Sequence, residues 1–237
     1  MLYLVPTPLG NLGDMTPRAV EVLRDASEVY CEDTRRTRIL FTHFGITSPL
    51  LRYNDKDPRS EERLLDKVRS GAPVALVSDS GFPCVSDPGS RVVERARREG
   101  LAVTALPGAS ALTAAVAGSG LSADSFVFMG FLPRRSGPRR RALREAAALG
   151  KTLIIYESPY RVLQLLDEAG EVLGESAQAA AVRELSKIHE EWFWGGLAEV
   201  RRTLSARESL LGEFVVLMRP PPRFGDEPRE DDHGEAR

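Results

Sequence analysis

Short apolar runs alternate with amphipathic stretches through the first half of the chain. LYLV (2–5), EVYC (28–31), LLRYN (50–54), PVALVS (73–78) and AVTAL (102–106) are too short for helices. They are continuous rather than alternating, which predicts strands buried on both faces. Helix signals fill the intervals. Thr16-Pro17 supplies an N-cap and an N1 proline for a helix through Ala26. A second helix runs to Phe44 and stops at Gly45, a left-handed cap. Ser60 caps SEERLLDKVRSG, with glutamates in the first turn where the helix dipole favours them, and Arg91–Arg98 ends at Gly100. This βαβ alternation predicts a mostly parallel five-stranded sheet with helices on both faces.

The second half is patterned differently. A helix from Ser110 to Ala117, built mainly of alanine, valine and leucine, is expected to be well buried, and GSGLSADS (118–125) follows as a hinge. FVFMGF (126–131), TLIIYE (152–157), AAAVRE (179–184), EEWFWGG (190–196) and EFVVLM (213–218) read as strands, the last ones separated by shorter pieces, so a mixed sheet is expected. The fold class is therefore α/β: two α/β domains in series, 1–118 and 119–219, with a ligand cleft between them. From residue 220, PPP followed by acids predicts a disordered acidic tail, 220–237.

Five polar loops follow apolar runs: TPLGNLGD (7–14), EDTRRT (32–37), SDSGFPCVSDPG (78–89), PGASA (107–111) and RELSKIHEE (183–191). Loops beyond the carboxyl ends of α/β strands are where ligands bind, so several in one chain point to an enzyme. The first loop holds only Gly10 and Gly13 and does not match the dinucleotide fingerprint. Glu32 and Asp33 end the second strand, where an acid can hold a ribose; an acidic helix cap is the alternative. In SDSGFPCVSDPG, Asp79 and Asp87 can complement a cation, while Gly81 lets backbone approach a ligand and Pro83 stiffens the loop. RELSKIHEE gathers Arg183, Glu184, Lys187, His189 and Glu190. A lysine there, oriented by a carboxylate, can act as a base; a solvated charged turn is the competing view.

Composition narrows the class. The 237 residues are 42% hydrophobic and 28% charged, with a formal net charge of −2. The last eighteen residues hold six acids and three arginines. Within the body, Arg134, Arg135, Arg139, Arg140, Arg141 and Arg144 lie close together with no acid among them. Such a cluster repels itself unless an anion neutralises it, and phosphate backbone is the natural one; a solvated helix face is the alternative. Cys31 and Cys84 make no disulfide framework, which suits a reducing cytoplasm. No apolar run is long enough to span a bilayer. His43, His189 and His233 show no metal-ligand spacing, so no metal is expected.

Taken together, TPLGNLGD, EDTRRT, SDSGFPCVSDPG, PGASA, SGLSADSFVFMGFLP, TLIIYESPYR, RELSKIHEE and GEFVVL occur in an order that resembles the small-subunit ribosomal RNA methyltransferase I family, a branch of the tetrapyrrole methylase superfamily. The resemblance spans residues 2–218. It implies S-adenosyl-L-methionine as cofactor and a homodimer. It also implies 2′-O-methylation of a cytidine ribose in the decoding region of 16S rRNA within the 30S ribosomal subunit. By position it implies cofactor contacts from Pro8, Gly10, Asp79, Gly81, Pro83, Ala109, Ser110, Tyr156, Glu157, Arg183 and Glu184. Lys187 becomes the general base, with Glu184 or Glu32 as alternative or orienting group. EDTRRT, through Asp33, Arg35 and Arg36, and the cluster of Arg134, Arg135, Arg139, Arg140 and Arg141 would face RNA. Phe82, Cys84, Arg36 and Tyr160 depart from the family's usual residues. A tetrapyrrole methylase acting on a porphyrinoid and a non-catalytic ribosome assembly factor are the rival readings.

Overall fold

A computed structural model describes residues 1–221; the expected acidic tail lies outside the described residues from 222 onward. Two compact units are present. The first comprises Met1–Gly118 with Val182–Trp192 and Gly212–Val215, and the second comprises Ser119–Ala181, Phe193–Leu211 and the chain from Val216.

In the first unit, β1 (Leu2–Val5), β2 (Glu28–Cys31), β3 (Leu50–Arg52), β4 (Val74–Val77) and β5 (Val103–Ala105) form one sheet in the order β3-β2-β4-β1-β5. Every pairing is parallel, with Leu4 opposite Leu76 and Ala105, as the continuous apolar runs predict. Alternate strand residues serve opposite faces. Val5, Val29, Ala75 and Val77 pack with Val20, Leu23, Leu40 and Phe41 from α1 (Pro17–Asp25) and α2 (Thr34–Phe44). Leu2, Leu4, Tyr30, Val74 and Leu76 pack with Leu64, Leu65, Val92 and Ala96 from α3 (Pro58–Arg69) and α4 (Ser90–Arg98). The helix after β1 thus covers one face and the helix after β4 the other. Since β1 and β4 are neighbours, their carboxyl ends form a topological switch point, where the two following loops part and leave a crevice.

The caps are largely those expected. Thr16 Oγ1 accepts from the Ala19 amide at 3.2 Å, and Gly45 closes α2 at φ +60. One start differs: Asp57, not Ser60, caps α3, accepting from the Arg59 amide at 3.0 Å. Pro58 favours the first helical position, which moves the start upstream of Ser60. The larger correction concerns α5 (Ala111–Gly118), where only Ala115 is fully buried. A helix apolar on all sides carries no sequence signal for which side is covered, and this chain covers one stripe of it.

In the second unit's sheet, β6 (Phe126–Phe131), β7 (Thr152–Glu157), β8 (Gln178–Arg183), β9 (Glu191–Gly196) and β10 (Phe214–Arg219) run in the order β6-β7-β10-β8-β9. β6 and β7 are parallel. The neighbours β8 and β9 are joined by residues 184–190, too short for a parallel crossover, so the sheet is mixed.

The arginine cluster opens α6 (Ser136–Ala147), and here the sequence expectation fails for Arg139. Arg139 is completely buried, its guanidinium forked onto Glu168 of α7 (Val162–Leu173) at 2.6 and 2.7 Å. Its Nη1 also donates to the carbonyls of Pro133 and Arg134, at 3.4 and 3.1 Å. Arg140 donates to Glu171 at 3.1 Å. Their counter-anions are α7 carboxylates rather than phosphate. Arg139 cannot face RNA, and Arg140 is already paired.

The hydrogen bonds from Arg139 hold the Glu168 carboxyl below its ordinary range against the opposing effect of burial. Removing one partner of a buried pair strands the other charge. Arg139→Met is therefore expected to cost about 3–5 kcal/mol in urea unfolding, and adding Glu168→Leu to recover most of it. Parental stability in the single variant would contradict this.

Candidate functional site at the β1–β4 switch point

The loops leaving β1 and β4 are stitched together by main chain. Thr7 and Gly81 form an isolated antiparallel bridge, each amide donating to the other's carbonyl at 2.9 Å. The Thr7 hydroxyl donates to the Ser78 carbonyl at 3.1 Å, and the Ser78 hydroxyl to the Gly81 carbonyl at 2.8 Å. Gly81 sits at φ +76, where a side chain would be strained and would crowd Leu9. In the same loop Cys84 and Ser86 also take left-handed backbone, at φ 71 and 64. Such strain persists only where surrounding contacts enforce it, and it concentrates at functional sites.

These loops border a cavity of about 280 Å³. Pro8, Gly10 and Asp79 line it together with Arg36, Lys187 and Glu213. Lys187 crosses the first loop so closely that a methyl group on Gly10 would collide with its stem. Its Nζ donates to Glu184 at 2.9 Å and to Glu213 at 2.8 Å, and Glu184 also accepts from the Glu213 amide at 2.9 Å. Glu184 holds this position with a left-handed φ of 54. Burial pulls the Lys187 pKa down, but the two carboxylates outweigh it and the net shift is upward. In this arrangement Lys187 is an ammonium, so it is not poised to accept a proton as the sequence suggested.

The acids behind the cavity are less compensated, and Asp87 is not among its lining residues. Burial first, then the charges of Glu32, Asp79 and Glu213, push the Asp87 carboxyl up to about 6. Arg36 approaches Asp79 at 3.5 Å but remains largely exposed. Asp33 caps α2, accepting from the Arg35 amide at 2.9 Å and from the Arg35 guanidinium at 3.1 and 2.8 Å. Its own amide donates to Asp79 at 3.3 Å. The capping alternative therefore describes the Asp33 side chain, and Glu32 is the exposed member of that pair. Among the described residues no group of three potential ligands could hold a metal ion. Nor is any helix long and apolar enough to cross a membrane.

The remaining sequence-nominated residues are placed variously. The Ala109 carbonyl lies beside Gly81. The Ser110 hydroxyl accepts from the Thr113 amide at 3.3 Å and so serves the first turn of α5. Pro83 is buried within its loop. Arg183 donates to Glu191 across the β8–β9 hairpin at 2.7 Å. In the second unit, the Tyr156 ring packs edge-on against Phe128 and Phe131, with centroids 5.0 and 5.7 Å away. Glu157 is buried; its Oε1 accepts from the Ser158 amide at 2.7 Å and pairs with Arg161 at 2.6 Å, while its Oε2 is buried with no hydrogen-bond partner among the described residues. Thr7, Ser78 and Glu213 were not singled out from sequence. Thr7 and Ser78 stood inside quoted loops, and Glu213 follows Gly212, against which the Glu184 side chain packs.

The family model for Tetrapyrrole (Corrin/Porphyrin) Methylases matches residues 1–201. Over 219 residues the chain is 42% identical to ribosomal RNA small subunit methyltransferase I of Synechocystis sp., covering 92% of this chain and 78% of that protein. The chain belongs to this methyltransferase family. The protein of the same name from Micromonospora olivasterospora is 44% identical over 230 residues, covering 96% and 73% of the two chains. A cobalt precorrin-4 methyltransferase of cobalamin biosynthesis shares the fold, with a TM-score of 0.69 at 16% identity over 91% of this chain and 93% of that one. In this methyltransferase, the loops carrying the cavity are the same loops that carry the family resemblance.

The raised Asp87 pKa gives a signed expectation. Its folded value lies above its unfolded value, so ionisation costs stability as pH rises from about 4 to about 6, and the full cost remains above that window. Asp87→Asn is expected to raise stability at pH 7, by about 1 kcal/mol once solvent screening of this half-buried group is allowed for, and by nothing at pH 4, read from urea midpoints at both values. An equal effect at the two pH values would refute the assignment.

Proposed function

We propose that the chain methylates the 2′-oxygen of a cytidine ribose in the decoding region of 16S rRNA within the 30S subunit, using S-adenosylmethionine. The carrying observation is a pocket whose Arg36 and Lys187 face Asp79 and Glu213, with the further carboxylates Asp87 and Glu32 close behind its lining, in a chain whose relatives are named ribosomal RNA methyltransferases. That charge fits the cofactor: S-adenosylmethionine bears a sulfonium and an ammonium, and Asp79 and Asp87 offer anions that the protein's own cations leave partly unmatched. Asp79 and the backbone of Pro8–Gly10 and Gly81 would hold it, with Thr7 and Ser78 fixing the two loops. When bound, it supplies an electrophilic methyl group.

The chain's own residues then orient a ribose hydroxyl and accept its proton. With Lys187 held as an ammonium, the proton acceptor is Glu184, which Lys187 positions through the 2.9 Å contact; burial opposes, but the Glu213 amide and Lys187 hold its carboxyl below the ordinary range, so it acts as a positioned rather than a strong base. RNA is selected over DNA because only ribose carries a 2′-hydroxyl. A cytoplasmic homodimer belongs to the same reading; the partly uncovered apolar α5 is a surface that self-association would bury.

Purified chain, labelled S-adenosylmethionine and 30S subunits are expected to give label on one cytidine ribose. The adjoining phosphodiester should resist alkali, because the methylated 2′-oxygen cannot attack it. Label on a base, or on a precorrin substrate instead of RNA, would overturn the assignment in favour of another methylase; binding to subunits with no turnover would favour an assembly factor.

Glu184→Gln is expected to lower single-turnover methyl transfer by about 10²–10⁴-fold, while S-adenosylmethionine affinity by calorimetry changes little. An unaltered rate would remove Glu184 from proton transfer.

A further inference from the structure

The second unit carries an exposed feature that the methyl-transfer chemistry does not use. Phe131 and Tyr160 are 58% and 86% exposed, an unfavourable state for large rings on a chain with a well-packed core. Phe131 is the last residue of β6, paired in register with Tyr156 of the parallel neighbour β7, and Tyr160 lies just beyond the carboxyl end of β7. Arg161, the next residue after Tyr160, donates from Nη1 to the Leu132 carbonyl at 3.5 Å, which ties the two strand-end loops together. The buried Arg139 holds the same segment from below through the carbonyls of Pro133 and Arg134. Arg134 and Arg135 are exposed on that segment, and no acid among the described residues pairs with either.

Exposed rings on tied strand-end backbone, close in sequence to uncompensated guanidiniums, match one chemistry above others. Unpaired nucleotides offer π-faces for the rings and phosphates for the arginines, whereas a duplex hides its bases. An acidic protein partner would use the arginines and leave the rings without a role.

We infer that Phe131 and Tyr160, flanked by Arg134 and Arg135, form a platform on which unpaired nucleotides of the RNA substrate stack. This rests on the RNA-methylation reading and adds which RNA conformation is bound, and where. The platform contributes affinity for single strands, and its rings do so without releasing counterions.

The test is fluorescence anisotropy of the full chain with an unstructured RNA oligonucleotide and a duplex of equal length, across a salt series, alongside methyl transfer to 30S subunits. Phe131→Ala and Tyr160→Ala are expected each to weaken single-strand binding by about tenfold, leaving the salt slope and the melting temperature unchanged. Phe131→Trp should retain binding, and Arg134→Ala should lower the salt slope by about 0.7. Preference of the parent chain for the single strand over the duplex is required. Ring variants that bind RNA as the parent does, while methyl transfer persists, would overturn the platform and leave the function standing; so would ring variants that change only sedimentation. A parent chain that neither binds RNA nor methylates subunits would overturn both.

Discussion

Two adjacent parallel strands, β1 and β4, send their helices to opposite faces of the sheet, and the site in the first unit depends on that one divergence. Where neighbouring loops part, backbone cannot close over itself, and a crevice remains. The protein does not leave that crevice loose. The Thr7–Gly81 bridge and the hydroxyls of Thr7 and Ser78 satisfy the loop main chain internally. Preorganisation of this kind lowers the ordering cost of binding, and the positive-φ residues of the 78–89 loop are its conformational cost.

Electrostatics differs between the crevice and the loop behind it. Around Lys187, one ammonium meets Glu184 and Glu213 and the charges are matched locally. Around Asp87, burial first and then the charges of Glu32, Asp79 and Glu213 make the group hold its proton to higher pH. The matched region suits orientation and proton handling. The loop behind it favours a ligand that brings positive charge with it. A buried pair in the second unit, Arg139 with Glu168, shows the opposite outcome: complete pairing, complete burial and a structural role.

Local patterning made much of this legible. Continuous four-residue apolar strands, Thr16 before Pro17, and Gly45 after Phe44 each imply their structures through neighbours a few residues away. Loops such as SDSGFPCVSDPG were conspicuous because several backbone-permissive residues fell directly after a strand. What escaped the sequence depended on distant partners. Arg139 looked like surface charge because Glu168 lies 29 residues away on another helix. Lys187 looked like a base because Glu213, its second carboxylate, follows 26 residues later. The half-covered α5 failed for another reason, since uniform apolarity names no face.

Asp87 and Glu32, behind a crevice whose own lining pairs Asp79 and Glu213 with Arg36 and Lys187, tip the local charge toward a cationic methyl donor. The most direct test of this is an NMR titration of the Asp87 side-chain carboxyl, with and without saturating S-adenosylmethionine. The account predicts an apparent pKa near 6 for the protein alone and a clear fall toward the ordinary carboxylate range when the donor is bound. A titration curve that the donor leaves in place, or shifts upward, would contradict it.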